Sequence, residues 1–285
     1  MIDGKFVFEQ FDSLSEYINI IGERSVNRVF SYRYIINDIG SEKENYSFSL
    51  TNSYVESVGL ALNGYKEGCE GLKSSVKRIQ HCENVTRFMP TTDITGFAPH
   101  VPNAITGVPK SMISHMPVQK KAKVLTLVFN NENTAATNAN QFIKAGKNVV
   151  DLINALEEQG YRVALYSLVV SCGNQIAAAL VKIKDWKQPT NILKIAYPLI
   201  HPAFSRRQFF KWLETCPQVT DDELAIAYGK PLYKLESNYD KQITLLRQMK
   251  VLTNNWFYLD NNLAKDNGVD SLISLLGIDA RRKAV

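Results

Sequence analysis

Two segments near the middle of the chain are apolar almost without interruption, and the pattern between them has a different period. Lys123–Phe129 (KVLTLVF) and Tyr161–Val170 (YRVALYSLVV) read as strands covered on both faces. Between them Phe142, Ile143, Val149, Val150, Ile153 and Leu156 fall on one helical face. This spacing predicts a helix over about 138–159, closed by Gly160, because the residue past a helix end commonly needs the left-handed conformation. Strand, helix and strand in this order predict a right-handed crossover between parallel neighbours. Gln175–Ile183 predicts a further strand, which the short Cys172-Gly173-Asn174 turn would make antiparallel to the one before it.

The flanking regions carry weaker signals. Phe6–Phe11 is short and apolar-rich, and Val29–Ile36 (VFSYRYII) has the composition of a strand. Ser13 precedes Glu16, and Ser53 precedes Glu56, by the three residues that a capping box requires, so a helix is expected after each serine. The second has Val55, Val58 and Leu62 on one face and Gly64 at its end. A third helix is expected around Glu70–Cys82, with Lys73, Lys77 and Arg78 on its solvated side. Pro90, Pro99, Pro102, Pro109 and Pro117 are half of the ten prolines and predict an extended connector packed over a surface. Helices are expected at Thr190–Ala196 and Ser205–Thr215, broken by Pro198 and Pro202 and stopped by Pro217, then at Tyr239–Val251 and Asp270–Leu276. Trp256–Leu259 reads as a short edge strand.

Together these elements predict an α/β fold: a Rossmann-like, mostly parallel central sheet flanked by helices, with an α+β N-terminal region and a helical C-terminal region. The expected organisation is 1–88 for the N-terminal region, 89–122 for the connector, 123–217 for the core and 218–285 for C-terminal helices packing on it.

Composition narrows the function classes. A hydrophobic fraction of 45% and a charged fraction of 21% in 285 residues are those of a globular protein. The net charge of +5 is mild for a dedicated nucleic-acid binder. No apolar run reaches the roughly 20 residues that span a bilayer, so no membrane partner is expected. Cys69, Cys82, Cys172 and Cys216 form no C-x-x-C pair, and His81, His100, His115 and His201 have no zinc-ligand spacing. Reduced thiols and the polar start of the chain point to the cytoplasm.

Ligands of open α/β sheets bind at the carboxyl ends of strands. Here that loop is Asn130–Thr137, which has no glycine-rich phosphate cradle. Its Asn130, Glu132 and Thr134, at alternate positions after a buried strand, resemble the metal-ion-dependent adhesion motif (Asp-x-Ser-x-Ser) of the von Willebrand factor A family. The resemblance puts Asn130 at the Asp position, Glu132 at the first Ser and Thr134 at the second. It implies a magnesium-type site in which Glu132 supplies the carboxylate that Asn130 lacks; with the motif so altered, no cofactor is the principal expectation.

Ser53–Tyr65, Gly107–Met112, Gly146–Tyr161 and His201–Arg207 are similar, in consistent order, to motifs of a family of uncharacterised bacteriophage and prophage proteins. Ser57 and Tyr65 depart from its pattern. That resemblance implies a phage origin and an α/β domain, and brings no activity with it.

Outside the strand loop, Arg206 and Arg207 lie at the start of an expected helix, where orphan N–H groups favour anions, with His201 just before them. With Lys120, Lys121, Arg281 and Arg282 they form the basis of a nucleic-acid-binding alternative. Cys172 has no evident base and reads as a packing residue, and Trp186, Trp212 and Trp256 read as core anchors. The expected function is that of a non-enzymatic protein-interaction or assembly protein with a protein partner. The alternatives are a nucleic-acid binder and a metal-dependent hydrolase at Asn130, Glu132 and Thr134.

Overall fold

The computed structural model describes residues 6–25, 42–73, 84–121, 123–132, 137–173, 175–220 and 229–277. The expected strand Val29–Ile36, and with it Lys77, Arg78, Cys82, Thr134, Arg281 and Arg282, lies outside the described residues. In chain order the elements are β1 (Phe6–Phe11), α1 (Leu14–Glu23), α2 (Glu42–Ser49), α3 (Tyr54–Asn63), α4 (Lys66–Lys73), β2 (Asn84–Asp93), β3 (Ala98–Pro99), α5 (Val101–Ile105) and β4 (Met112–Lys121). Then follow β5 (Lys123–Asn130), α6 (Ala139–Glu158), β6 (Tyr161–Cys172), β7 (Ile176–Lys184), α7 (Ile192–Ile200), a π-helical turn (Phe204–Gln208) and α8 (Phe209–Thr215). The last are α9 (Leu232–Leu235), α10 (Tyr239–Gln248), β8 (Trp256–Asp260), α11 (Asn261–Asp266) and α12 (Val269–Leu275). They fall into two compact units, Met1–Ile79 with Val124–Val285, and Gln80–Lys123.

The first unit is built on a five-stranded sheet of order β1-β7-β6-β5-β8. β1 runs parallel to β7, β8 parallel to β5, and β6 antiparallel to β7. The Asn131 N–H donates to Leu168 O and the Val170 N–H to the Glu132 carboxylate, so β5 and β6 advance in the same direction. The fold class is therefore the α/β one expected, with a mostly parallel sheet flanked by helices. Both faces are covered. Leu125, Leu127, Phe129, Val163 and Leu165 pack with residues of α6, α7, α11 and α12. Their alternates Val128, Tyr166, Leu168 and Val170 pack with Leu246, Met249, Val251 and Leu252. On β7, Ala177 and Ala179 are small, which leaves room for Tyr17, Tyr197, Phe204 and Trp212 in the same cluster.

Local signals explain the helix ends. Ser13 and Ser53 each accept the N–H three residues on, and Glu16 and Glu56 reach back to the N–H of Asp12 and Asn52. Asn138 caps α6, and Gly64 and Gly160 take φ of 87° and 85° after their helices. Helix α7 does not break at Pro198 as expected but runs through it to Ile200, with Ile195–Ile200 all buried. A mid-helix proline costs roughly 3 kcal/mol, which burial of this apolar run offsets.

The second unit departs most from expectation. The stretch read as an extended connector is a three-stranded antiparallel sheet of order β2-β4-β3, with β2 and β4 paired along ten residues from Asn84↔Lys121 to Asp93↔Met112. Pro90 and Pro117 sit within these strands, facing His115 and Phe88. Both strands lie at least partly on a sheet edge, since β3 covers β4 only at Met112 and Ile113, and edges tolerate the lost donor.

Candidate functional site

Strand β5 delivers Asn130, Asn131 and Glu132 to the carboxyl end of the sheet, and all three are buried. The Asn130 side-chain oxygen accepts the Glu132 N–H (3.2 Å), an Asx-type turn that ends the strand. Asn130 Nδ2 donates to Glu132 Oε2 (3.3 Å) and to Tyr258 Oη (3.0 Å) on β8, and that hydroxyl donates to Gln242 Oε1 (3.2 Å) on α10. Glu132 accepts the Val170 N–H on Oε1 and the Leu232 N–H on Oε2 (2.9 Å). Leu232 opens α9, and Pro231 before it supplies no capping side chain, so Glu132 takes an otherwise orphaned helical donor. Asn131 Nδ2 donates to Pro198 O (2.7 Å). In a helix that carbonyl would accept the N–H of residue 202, but Pro202 has none, and Asn131 fills the vacancy.

Burial pushes the Glu132 carboxyl up to about 8, against the pull of the Leu232, Asn130 and Val170 donors. Asp260, opposite Asn130 in the ladder, is also raised, chiefly by burial. The arrangement clamps β5, β6, β8 and α9 together around one carboxyl that can hold a proton near neutral pH. Of the residues at the metal-motif positions, Asn130 and Glu132 do come together, but both Glu132 oxygens are engaged by N–H groups and Thr134 lies outside the described residues. Among the described residues no group of three or more His, Cys, Asp or Glu is placed to hold a metal ion.

Arg206 and Arg207, expected at a helix start, lie inside the π-helical turn that runs into α8, with only 6% and 1% of their surface exposed. Arg206 donates to Phe48 O (2.6 Å) and Thr137 O (3.1 Å), with its guanidinium over the rings of Phe48 and Phe142. Arg207 donates to Ser49 Oγ (3.0 Å) and Thr51 O (3.2 Å). These bonds tie the end of α2 and the loop after it to the core. His201 Nδ1 accepts the Ala203 N–H (3.1 Å), and its ring lies between Tyr65 and Tyr197. Burial lowers its pKa to about 4, so it packs as a neutral ring. The backbones of Lys120 and Lys121 end β4, and their side chains lie outside the description. Cys172 is buried, as expected of a packing residue, and Trp212 is a core anchor whose indole donates to Glu9 (2.6 Å).

Tyr258, Gln242 and Leu232 carry no sequence signal toward Glu132, being 100 residues or more away along the chain; a tyrosine on an edge strand is their only hint. A second feature equally hidden from sequence is a cleft of about 490 Å³ at the carboxyl ends of β1 and β7. Asp12, Gly64, Lys182, Asp185 and Lys194 are among the residues lining it. Within it Lys182 Nζ lies 3.3 Å from Asp12.

The third is the surface of the second unit. From Met89 to Met116 no side chain is buried. Met89, Ile94, Phe97, Val101, Ile105, Val108 and Met116 are all exposed, at 42–79% of their surface. They are half of the large exposed hydrophobic residues among those described.

No helix of the described residues is long and apolar enough to cross a membrane. No curated protein and no solved structure matches the chain. One family model does, over residues 3–279, and it is described as a domain of unknown function, DUF7192. The match takes in both units and every element of the sheet, and the chain belongs to that family.

Proposed function

We propose that the chain is a non-enzymatic protein-interaction or assembly protein, working from a rigid α/β scaffold through the apolar surface of its second unit. One observation carries this reading: a stretch of regular β-structure and helix, Met89–Met116, with no buried side chain and seven large apolar residues open to solvent. Strands and helix that leave large apolar residues in water are poorly supported by burial of their own, and exposed apolar residues gathered in one small unit are what a protein-binding surface supplies. The Glu132 clamp supports a scaffold role, because its polar groups are spent on holding strands and helix together. A von Willebrand A-like ancestry, with Asn130 and Glu132 as its altered motif, and a phage origin belong to the same reading.

The nucleic-acid alternative loses Arg206 and Arg207, whose guanidinium groups are turned inward onto backbone carbonyls.

The test is reconstitution. Any protein captured by the purified chain is itself purified, and binding is measured for wild type and for Ile105→Lys. Binding that the variant weakens at least about tenfold, the size of an interface anchor's contribution, supports the reading. If wild type binds neither another protein nor its own copy, the reading is wrong.

A further inference from the structure

We propose that the cleft at the carboxyl ends of β1 and β7 binds a small zwitterion, one molecule carrying both an ammonium and a carboxylate, as a free amino acid or a dipeptide does. The site lies in the first unit and is independent of the apolar surface of the second. The cleft measures about 490 Å³, within the roughly 300–1,000 Å³ of small-molecule sites. Four segments wall it: the start of α1, the end of α3, the end of β7 with the loop after it, and the start of α7. Gly64 holds two of these walls close. It takes φ of 87°, and a Cβ there would lie 2.9 Å from Leu193 O, so α3 ends directly against the first turn of α7.

What the cleft can bind follows from which of its polar groups are already spent. Ser13 Oγ accepts the Glu16 N–H and Asn191 Oδ1 accepts the Leu193 N–H, so both serve as helix caps. Lys182 and Asp12 form an ion pair. Lys194 has no carboxylate partner among the described residues. Asp185 gives Oδ1 to the Lys187 N–H (2.8 Å), and its Oδ2 has no hydrogen bond among the described residues. Nor do the side chains of Ser15, Asn63 and Gln188. The uncommitted set is therefore one cation, one anion, two amides and a hydroxyl.

That set discriminates among ligands. A ligand that fills the cleft takes Lys194 and Asp185 out of water, which costs free energy unless each charge gains a partner. An uncharged molecule partners neither. An anion such as phosphate satisfies Lys194 and is opposed by Asp185. A metal cation satisfies Asp185 and finds no further uncommitted carboxylate, where hard cations take about six or more oxygen ligands. A zwitterion satisfies both, with its carboxylate on Lys194 Nζ and its ammonium on Asp185 Oδ2. It also adds no net charge to a cleft in which Lys182 and Lys194 balance Asp12 and Asp185. The amides of Asn63 and Gln188 supply donors and acceptors for its remaining polar atoms.

The experiment is titration calorimetry of the full chain with the standard amino acids and a series of dipeptides. Each is also titrated as its N-acetyl and its carboxamide form, and inorganic phosphate is a further arm. Lys194→Met and Asp185→Asn are measured in parallel, with circular dichroism to check folding; Lys194 is exposed, and asparagine keeps the acceptor for Lys187. Expected is saturable binding of at least one zwitterion, weakened at least about tenfold when either of its charges is blocked. Tighter binding of amino acids or of dipeptides distinguishes the two sources. Lys194→Met should lose the preference for a free carboxylate over the carboxamide, and Asp185→Asn the preference for a free ammonium over the N-acetyl form. Absence of binding by every zwitterion at millimolar concentration overturns the proposal. Phosphate that binds more tightly than every zwitterion overturns it too, because the cleft is then an anion site. So does zwitterion binding whose charge preferences both variants keep, because the ligand then sits elsewhere.

Discussion

Glu132→Gln tests the physical account of the clamp. The carboxyl is raised from 4.5 to about 8 by burial, so the native state holds this proton more tightly than the unfolded chain does. The resulting stabilisation is complete below pH 4.5 and is lost as pH rises through about 8. The loss is about 1.4 kcal/mol per pH unit within that window, at most about 5 kcal/mol in all. For a chain of this size that is a fall in melting temperature on the order of 10 °C. Glutamine does not ionise, so its stability should lack this component. It carries a separate, pH-independent cost: Val170 takes one carboxyl oxygen, while Leu232 and Asn130 take the other. Whichever way the amide turns, its NH2 meets a donor, for about 1–3 kcal/mol.

The assay is thermal and urea unfolding of both proteins from pH 5 to pH 9 at constant ionic strength. Wild type should be the more stable at pH 5, and the gap should close or reverse by pH 9. Asp260, also raised by burial, is present in both proteins and cancels from the difference except for its coupling to Glu132. A gap that stays constant from pH 5 to 9 refutes the reasoning, because Glu132 then does not titrate there. A gap that widens with pH refutes it more sharply: the three N–H donors would outweigh desolvation, and the buried carboxylate would be the stable form.

Three further outcomes follow from the same structure. His201, lowered to about 4 by burial, stabilises the fold fully above its unfolded value of 6.5, and loses that contribution as pH falls toward 4; His201→Asn should flatten the acid limb of an unfolding titration by up to about 3 kcal/mol. Lys184 Nζ lies 2.7 Å from Glu157 and 2.8 Å from Val163 O, with both side chains buried. Lys184→Met alone should therefore cost about 3–5 kcal/mol in urea unfolding, and adding Glu157→Leu should recover part of it. A Cβ on Gly146 would sit 2.2 Å from Ile200 Cγ2 and 3.2 Å from Leu199 O, so Gly146→Ala should destabilise the α6–α7 contact by about 1–3 kcal/mol despite alanine's better helix propensity.

Much of the scaffold is legible in the order of residues because its causes are local. The Ser13 and Ser53 capping boxes, the Asn138 cap of α6 and the glycines past α3 and α6 act within a few residues of themselves. The continuous apolar runs of β5 and β6 announce two covered faces wherever those faces are found, and the three-residue turn at Cys172 all but dictates the antiparallel β7. Half of the candidate site was visible in the same way, since Asn130 and Glu132 follow a buried strand and their mutual bonds span two residues.

What the order of residues left undecided depends on distant partners. Pro198 forecasts a broken helix until Asn131, 67 positions away, supplies the donor that Pro202 lacks. Arg206 and Arg207 forecast an anion site until the π-helical turn carries them inward to the carbonyls of Phe48, Thr51 and Thr137. The prolines of residues 89–117 forecast a connector until β2 finds β4 and tolerates them at an edge. Glu132 needs Val170, Leu232 and Asn130 around it before its proton has an energy. Periodicity, caps and turns determined which segments are helix and which are strand, because those preferences are set by neighbours in the chain. Tertiary structure alone decided which polar groups are buried and satisfied and which apolar ones stay open to solvent, because burial is a property of what surrounds a residue and not of the residue itself.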